Sequence, residues 1–341
     1  MDDFPLWEIA EIPRNRIIQR MNLADVIEIA IKSKPFYDYL TANKLPAIEL
    51  QWNLRQHYYL LLGVPFEKSW VQFYTEQMFP VPTRMRALRN AIRIVHGFAI
   101  GNHRDCEVKI KAIVEITKFL LPIINISGYS LQYNDVPGFD ILKSSIFQVT
   151  KKFSKLSIAG NNATNLIEFT EEQLRFLLED VKTENLDLKC KLKGLEKLEN
   201  VRFNQTHLSI GSCSWIHPSV FLNISQLETI DVQFSYRLNL EDFIKVAVEW
   251  QGGEVLRSLK HLHFVNIEEW SETKSLVVRE DLTLGVAPSD EDEFKDYKGI
   301  IQRFIDGKRA QVTVWNANDD ENGHFFLSVE EDGHFSKLLI F

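Results

Sequence analysis

The chain has 341 residues, of which 45% are hydrophobic, and a formal net charge of −8. That length allows about two domains, and the apolar fraction fills a sizeable core. The negative balance argues against a general binder of phosphate backbones, so no nucleic-acid partner is expected.

The first forty or so residues, from Phe4-Pro5-Leu6 to Ser33-Lys34, carry more apolar side chains than so small a segment can bury by itself. Two short helices are expected. Pro13 suits the first turn of one, where its missing N–H is unpaired in any case. The second starts after Asn22 and stops near Ser33, because Pro35 disfavours helical geometry in the residue before it. Its apolar residues, among them Val26, Ile27, Ile29 and Ile31, are not confined to one stripe, so two sides need cover. The expected covers are the rest of the chain and a partner protein.

Phe4, Pro5, Leu6, Ile17, Ile18, Met21, Val26, Ile27, Ser33 and Lys34 follow one another as in the F-box of the large nematode-type family, which this segment resembles. Two places depart from that pattern: Ile9-Ala10 stands for a second Leu-Pro, and Asn22-Leu23 for an Asp-Pro. The resemblance implies a helical module over residues 1–45 that binds the Skp-type linker of a cullin-based ubiquitin ligase. Its contact residues are then Phe4, Pro5, Leu6, Ile9, Ile17, Ile18, Met21, Val26 and Ile29. A terminal helical cap on a larger core is the alternative reading of the same composition.

Residues 46–341 read as one α/β domain. Short strand-like pieces, Ala47 to Trp52 and Tyr58 to Leu62, are followed by a helix over Val108 to Leu121 that Pro122 ends. The run from Ile116 to Ile126 is broken by Lys118 and Pro122 and is too short for a bilayer, so no membrane span is expected. Beyond it a motif recurs, apolar residues at the first, fourth and sixth places. Copies are Leu121-Ile124-Ile126, Phe153-Leu156-Ile158, Leu227-Ile230-Val232 and Leu259-Leu262-Phe264, with partial ones at Leu186-Leu188 and Leu208-Ile210. Each predicts a short strand with alternate residues in a core. The spacing overlaps that of leucine-rich repeats but is irregular.

Helices fall between the copies. Thr170-Glu171-Glu172-Gln173 is a capping box, and Leu174, Leu177, Leu178 and Val181 follow at helical spacing. Asn239 caps another helix, with Phe243, Ala247 and Trp250 on one face and Gly252-Gly253 at its end. Near the end, Gln311 to Trp315 and His324 to Glu330 predict a β-hairpin around Asp319 to Gly323. The fold class is thus α/β: a small N-terminal helical module, then an irregular leucine-rich-repeat-like α/β domain ending in a β-hairpin. An ordinary open α/β sheet is the alternative.

Leu238-Asn239-Leu240-Glu241-Asp242-Phe243, with Trp250 and Gly253, resembles the signature of the F-box-associated region (type 2) of the same family. Leu208-Ser209-Ile210, Ser214-Trp215, Arg303, Asp306-Gly307 and Ala310 fit it too, while Asn239 and Phe243-Ile244 depart from it. The two resemblances together imply the substrate-recognition subunit of an F-box-type ligase. Its partners are a Skp-type linker, a cullin scaffold and a target protein of unknown identity.

Little points to catalysis, a cofactor or a metal. Gly211-Ser212-Cys213-Ser214-Trp215 has Cys where a nucleophile elbow needs Ser and Trp where it needs Gly, so a turn is the simpler reading. His261 and His263 share a strand face but have no Cys or third His near in sequence. Cys106, Cys190 and Cys213 lack paired or metal-type spacing, which fits reduced thiols in cytosol or nucleus. On that reading the sequons at Asn125, Asn162, Asn204 and Asn223 are coincidental, and the acidic run Asp290 to Glu293 is a solvated loop.

Strict alternation places Leu156, Ile158, Leu186, Leu188, Leu208, Ile210, Ile230, Val232, Leu262 and Phe264 inward. The residues beside them, Ser157, Asp187, His207, Ser209, Asp231, Gln233, His261 and His263, then form an outward polar surface, the expected target-binding face. A repeat-like interaction protein without a ligase, and a hydrolase-like or metal-dependent enzyme built on Cys213 or the histidine pair, are the other functional classes.

Overall fold

The computed structural model describes residues 10–55, 58–63, 69–74, 86–88, 91–99, 105–134, 140–160, 166–194, 197–238, 240–267, 277–279, 282–283, 285–286, 294–317, 323–331 and 334–335. The protein is mixed α/β, with short amino-terminal helices and extensive mixed sheet. It divides into two compact units, Met1–Thr150 and Lys151–Phe341.

The first unit opens with α1 (Glu11–Arg20), α2 (Leu23–Lys32) and α3 (Lys34–Ala42). Asn22 caps α2 by accepting from the Asp25 N–H at 2.9 Å. α2 ends at Lys32 with Ser33 as its C-cap, where the sequence places the stop. The departure is a third helix: Ser33 also caps α3, and Pro35 takes an early position where no N–H is missed. Then come β1 (Leu45–Leu54), β2 (Tyr58–Gly63), β3 (Ser69–Tyr74), β4 (Arg86–Leu88), β5 (Ala91–Ala99), α4 (Cys106–Leu120), β6 (Ile124–Asn134) and the short α5 (Ser145–Val149). Pairing runs β4–β5–β3–β2–β1–β6, parallel at β5–β3 and β1–β6 and antiparallel elsewhere.

Asp105 caps α4, accepting from the N–H groups of Glu107 and Val108, so the helix starts slightly before the apolar periodicity does. Leu50, Trp52, Leu60, Leu62, Ile113 and Leu120 are fully buried. The Trp52 indole donates to Thr117 Oγ1 at 3.1 Å, and that hydroxyl donates back to the Ile113 carbonyl at 2.9 Å. A tryptophan in a core needs such a partner for its N–H. The amino-terminal helices are tied to this layer, because Tyr37 Oη donates to the Phe119 carbonyl at 3.0 Å and its ring lies 4.8 Å from that of Phe119.

The second unit contains β7 (Lys152–Ala159), β8 (Ile167–Phe169), α6 (Glu171–Arg175), β9 (Lys182–Leu192), β10 (Gln205–Cys213), β11 (Thr229–Leu238), α7 (Leu240–Gly252) and β12 (His261–Ile267). After these come β13 (Val277–Arg279), β14 (Leu282–Thr283), β15 (Gly285–Val286), β16 (Phe294–Gln302), β17 (Arg309–Ala317), β18 (Gly323–Glu331) and β19 (His334–Phe335). β7, β9, β10, β11 and β12 are mutually parallel in that order, and β8 extends the β7 edge beside β9. β18 then pairs antiparallel with β12, followed by β17, β16 and β15, while β13 and β14 pair with each other. The hairpin expected near the end is β17–β18, and its position against β12 joins it to the parallel strands.

The crossovers are unlike one another. The capping box at Thr170 forms both ways, Gln173 N–H to Thr170 Oγ1 and Thr170 N–H to Gln173 Oε1. α6 then widens into a π turn over Phe176–Asp180. Gln205, 1% exposed, donates Nε2 to the carbonyls of Leu177, Leu178 and Val181, acceptors that a helix end leaves open. A short 3₁₀ turn (Pro218–Asn223) leads into β11, and α7 follows it. The core is aromatic: the Phe264 ring lies within 5.3–5.8 Å of the rings of Phe221, Phe234 and Phe243.

Candidate functional site

The ten residues assigned inward from the alternation, Leu156 through Phe264, are all buried. The register aligns their polar neighbours across the strands. Ser157, Asp187, Ser209, Asp231 and His263 are successive partners in one lane. His207 and His261 share the next lane through Thr229, and Gln233 lies opposite Val265 on the other side. All eight expected residues therefore fall on one face of the sheet, in three adjoining lanes.

Their exposure is uneven. Asp231 and Gln233 are exposed, while Asp187, His207, Ser209, His261 and His263 are half-buried. Ser157 is buried and donates to Asp187 Oδ2 at 3.0 Å. Asp231 Oδ1 lies 2.9 Å from His263 Nδ1. The His261 Nδ1 and Ser328 Oγ are 3.4 Å apart. Burial pulls the His261 imidazole below its ordinary value, Glu331 opposing the fall and Lys260 adding to it.

Sequence reasoning missed two members of this face. His324 and Phe326 lie on β18, and the register sets Phe326 opposite His263 and His324 opposite Val265. The His263 ring stacks on Phe326 at 4.2 Å and 12°, and its Nε2 is 3.1 Å from His324 Nδ1. Phe325, Phe326 and Leu327 are consecutive apolar residues, so alternation gives no face for this strand, and its pairing with β12 has no local signal.

The linker-contact set divides differently. Phe4, Pro5, Leu6 and Ile9 lie outside the described residues. Ile18 and Val26 are buried within the chain, at 4% and 1% exposure, whereas Ile17, Met21 and Ile29 stay partly open. Ile31, 51% exposed on α2, is an apolar surface residue absent from the expected set.

Trp250, Gly253, Arg303 and Asp306 meet around one turn. The Arg303 guanidinium is buried, holds Asp306 through two nitrogens, donates to the Arg257 carbonyl at 3.1 Å and sits 5.2 Å over the Trp250 ring. Gly253 has φ +85°, and a Cβ there would meet Ile305 Cγ2 at 2.5 Å, so both backbone and space require glycine. Phe304 and Ile305 at the tip are 63% and 62% exposed.

The Cys213 thiol is buried and pushed up to about 12 by desolvation, and Cys190 is buried and raised further by the same cause. Both are held as thiols, the unreactive form. Among the described residues no group of three or more His, Cys, Asp or Glu is placed to hold a metal, and no helix is long and apolar enough to cross a membrane. Compared with protein-family models, curated proteins and solved structures, the chain matches none.

Proposed function

We propose that the chain is a non-catalytic, substrate-recognition adaptor of an SCF-type (Skp-cullin-F-box) ubiquitin ligase. Its amino-terminal helices take the Skp-type linker, and its repeat-like parallel strands hold a target protein. The observation that carries the reading is the polar face of β7, β9, β10, β11 and β12. Parallel strands ordinarily have both faces covered by apolar packing. Here one face buries ten apolar residues and the other aligns hydroxyls, carboxylates and imidazoles, with Asp231 and Gln233 exposed. Such a row can read a partner's side chains. The helices support the other half of the reading through Ile17, Met21, Ile29 and Ile31, which keep apolar surface outside the core. Catalysis is then proximity, the adaptor raising the target's concentration near a ubiquitin-loaded enzyme.

Titration calorimetry of the whole chain with a purified Skp-type linker tests this directly. Saturable binding is expected, weakened about 10-fold or more by Ile17→Asp with Ile31→Asp, since anchors of this kind contribute about 1–3 kcal/mol. No binding, or equal binding by the variant, contradicts the assignment. A repeat-like interaction module without a ligase is the second reading. It is favoured by the burial of Ile18 and Val26, two residues the resemblance gives to the linker.

A further inference from the structure

We infer that Lys189 and Asp231 are the two poles of a charge-reading site on the polar face, and that its occupant is an extended protein segment with one acidic and one basic side chain. The site rests on the proposed role of the face in holding a target and names that target's chemistry. The register sets Lys189 of β9 beside Gly211 of β10. A Cβ on Gly211 would meet the lysine's Cγ at 3.1 Å, with its Cδ and Cε at 3.6 Å. The aliphatic stem therefore lies over β10, in the space another side chain would fill, and carries the ammonium toward the middle of the face. Gly211 has no left-handed φ, so the glycine supplies space here and not backbone geometry.

The lysine leans away from the acid nearest to it in sequence. Asp187 stands two residues back on the same face of β9, about 6.6 Å along the strand. Elsewhere a lysine with acids in reach takes them, as Lys260 takes Glu228 and Glu331. Asp187 instead accepts from Ser157 Oγ at 3.0 Å, and Lys189 stays exposed, with no ion pair among the described residues. The opposite pole is held in place. Asp231 of β11 pairs in register with Ser209, and its Oδ1 lies 2.9 Å from His263 Nδ1 while the side chain remains 51% exposed. Between the poles β10 presents only Ser209 and Gly211, so nothing bulky on that strand separates them. Gln233, exposed two residues beyond Asp231 on the same face, has an amide that can pair with the main chain of a segment lying there.

The spacing selects the occupant. Lys189 and Asp231 are two strands and two residues apart, about 12 Å between backbones. The lean of Lys189 shortens the distance between the charges, so about three residues of extended chain, at about 3.3 Å each, span it. Opposite charges this far apart are largely screened from each other in salt. A segment that brings a carboxylate to Lys189 and an ammonium or guanidinium to Asp231 pairs both at once. Such pairs set specificity and the rate of encounter more than affinity. A nucleic acid offers only anions and would meet the carboxylates of Asp187 and Asp231, so a protein segment is the occupant these charges fit.

The test is selection from a displayed library of random short peptides, on the full chain and on two charge-reversed variants. The wild type should enrich peptides with one acidic and one basic residue about three positions apart. Lys189→Glu leaves two anionic poles and should enrich two basic residues at that spacing. Asp231→Lys leaves two cationic poles and should enrich two acidic ones. A peptide selected on the wild type should bind either variant about 10-fold or more weakly, since like charges then face each other. Both side chains are exposed, so the melting temperature should stay that of the wild type. No enrichment by the wild type overturns the site, and so does one charge pattern selected by all three forms. Should a variant fail to fold, Lys189→Gln and Asp231→Asn decide, because each must drop one charge from the selected pair. The selection reads the strand face and calorimetry with the Skp-type linker reads the helices, so the site and the adaptor reading fail separately.

Discussion

The amino-terminal helices and the parallel strands are both built of short apolar segments, yet their two sides are legible to very different degrees. On β9, Leu186 and Leu188 are buried and Asp187 between them is not, and the same holds around Asp231 on β11. A strand has two opposed faces, so assigning one residue assigns all the others. On α2, Val26 and Ile27 are adjacent and both buried, while Ile31 is half exposed. A helix presents a continuous arc, and its own sequence does not say which part meets the parent chain and which part a partner. The strand face is therefore the firmer of the two candidate surfaces.

The comparison breaks most easily at Phe264, whose ring is the hub of the aromatic core. Phe264→Ala should cost about 3–5 kcal/mol in chemical denaturation. His263→Ala, its neighbour on the other face, should cost less than about 1 kcal/mol. Similar losses at both positions would mean the two faces are not distinct. Gln205→Ala comes next: it strips the amide from three carbonyls in a buried place and should cost about 1–3 kcal/mol. Thr170→Ala, which removes half of a capping box, should cost about 1 kcal/mol, and Thr170→Ser much less.

Acid gives a smaller, signed effect. Asp306 is held at about 2, chiefly by its hydrogen bond from Arg303. The unfolded chain then takes the proton first as pH falls. The stability from this pair is complete above about pH 4 and is lost between there and about pH 2. Asp306→Asn should flatten that limb of a stability–pH curve. An unchanged limb would show that the clamp at Arg303 contributes nothing in solution.

What sequence made legible was what local chemistry decides. Asn22, Thr170 and Gln173 cap the helices at which they were read, and Gly252-Gly253 ends α7, with Gly253 left-handed. What it left hidden depends on distant pairing or on a residue with two roles. Pro35 marks the end of α2 correctly but hides the start of α3, because Ser33 both ends one helix and starts the next. Gln205 is an ordinary polar residue until the α6 end is brought to it. His324 joins the face only once β18 lies beside β12, sixty-one positions from its partner His263. On the site, the polar row came from alternation alone, whereas the division of the linker set into buried and open residues required the packed helices.

The most direct measurement is a quantitative mass-spectrometric inventory of what co-purifies with three forms of the chain. These are the wild type, a face variant with Asp231, Gln233, His261 and His263 changed to Ala, and a helix variant with Ile17→Asp and Ile31→Asp. The account predicts that the face variant keeps the Skp-type linker and loses the other specific partners, at an unchanged melting temperature. The helix variant should do the reverse. Loss of both classes in either folded variant, or retention of both in each, would contradict an adaptor with two separate surfaces.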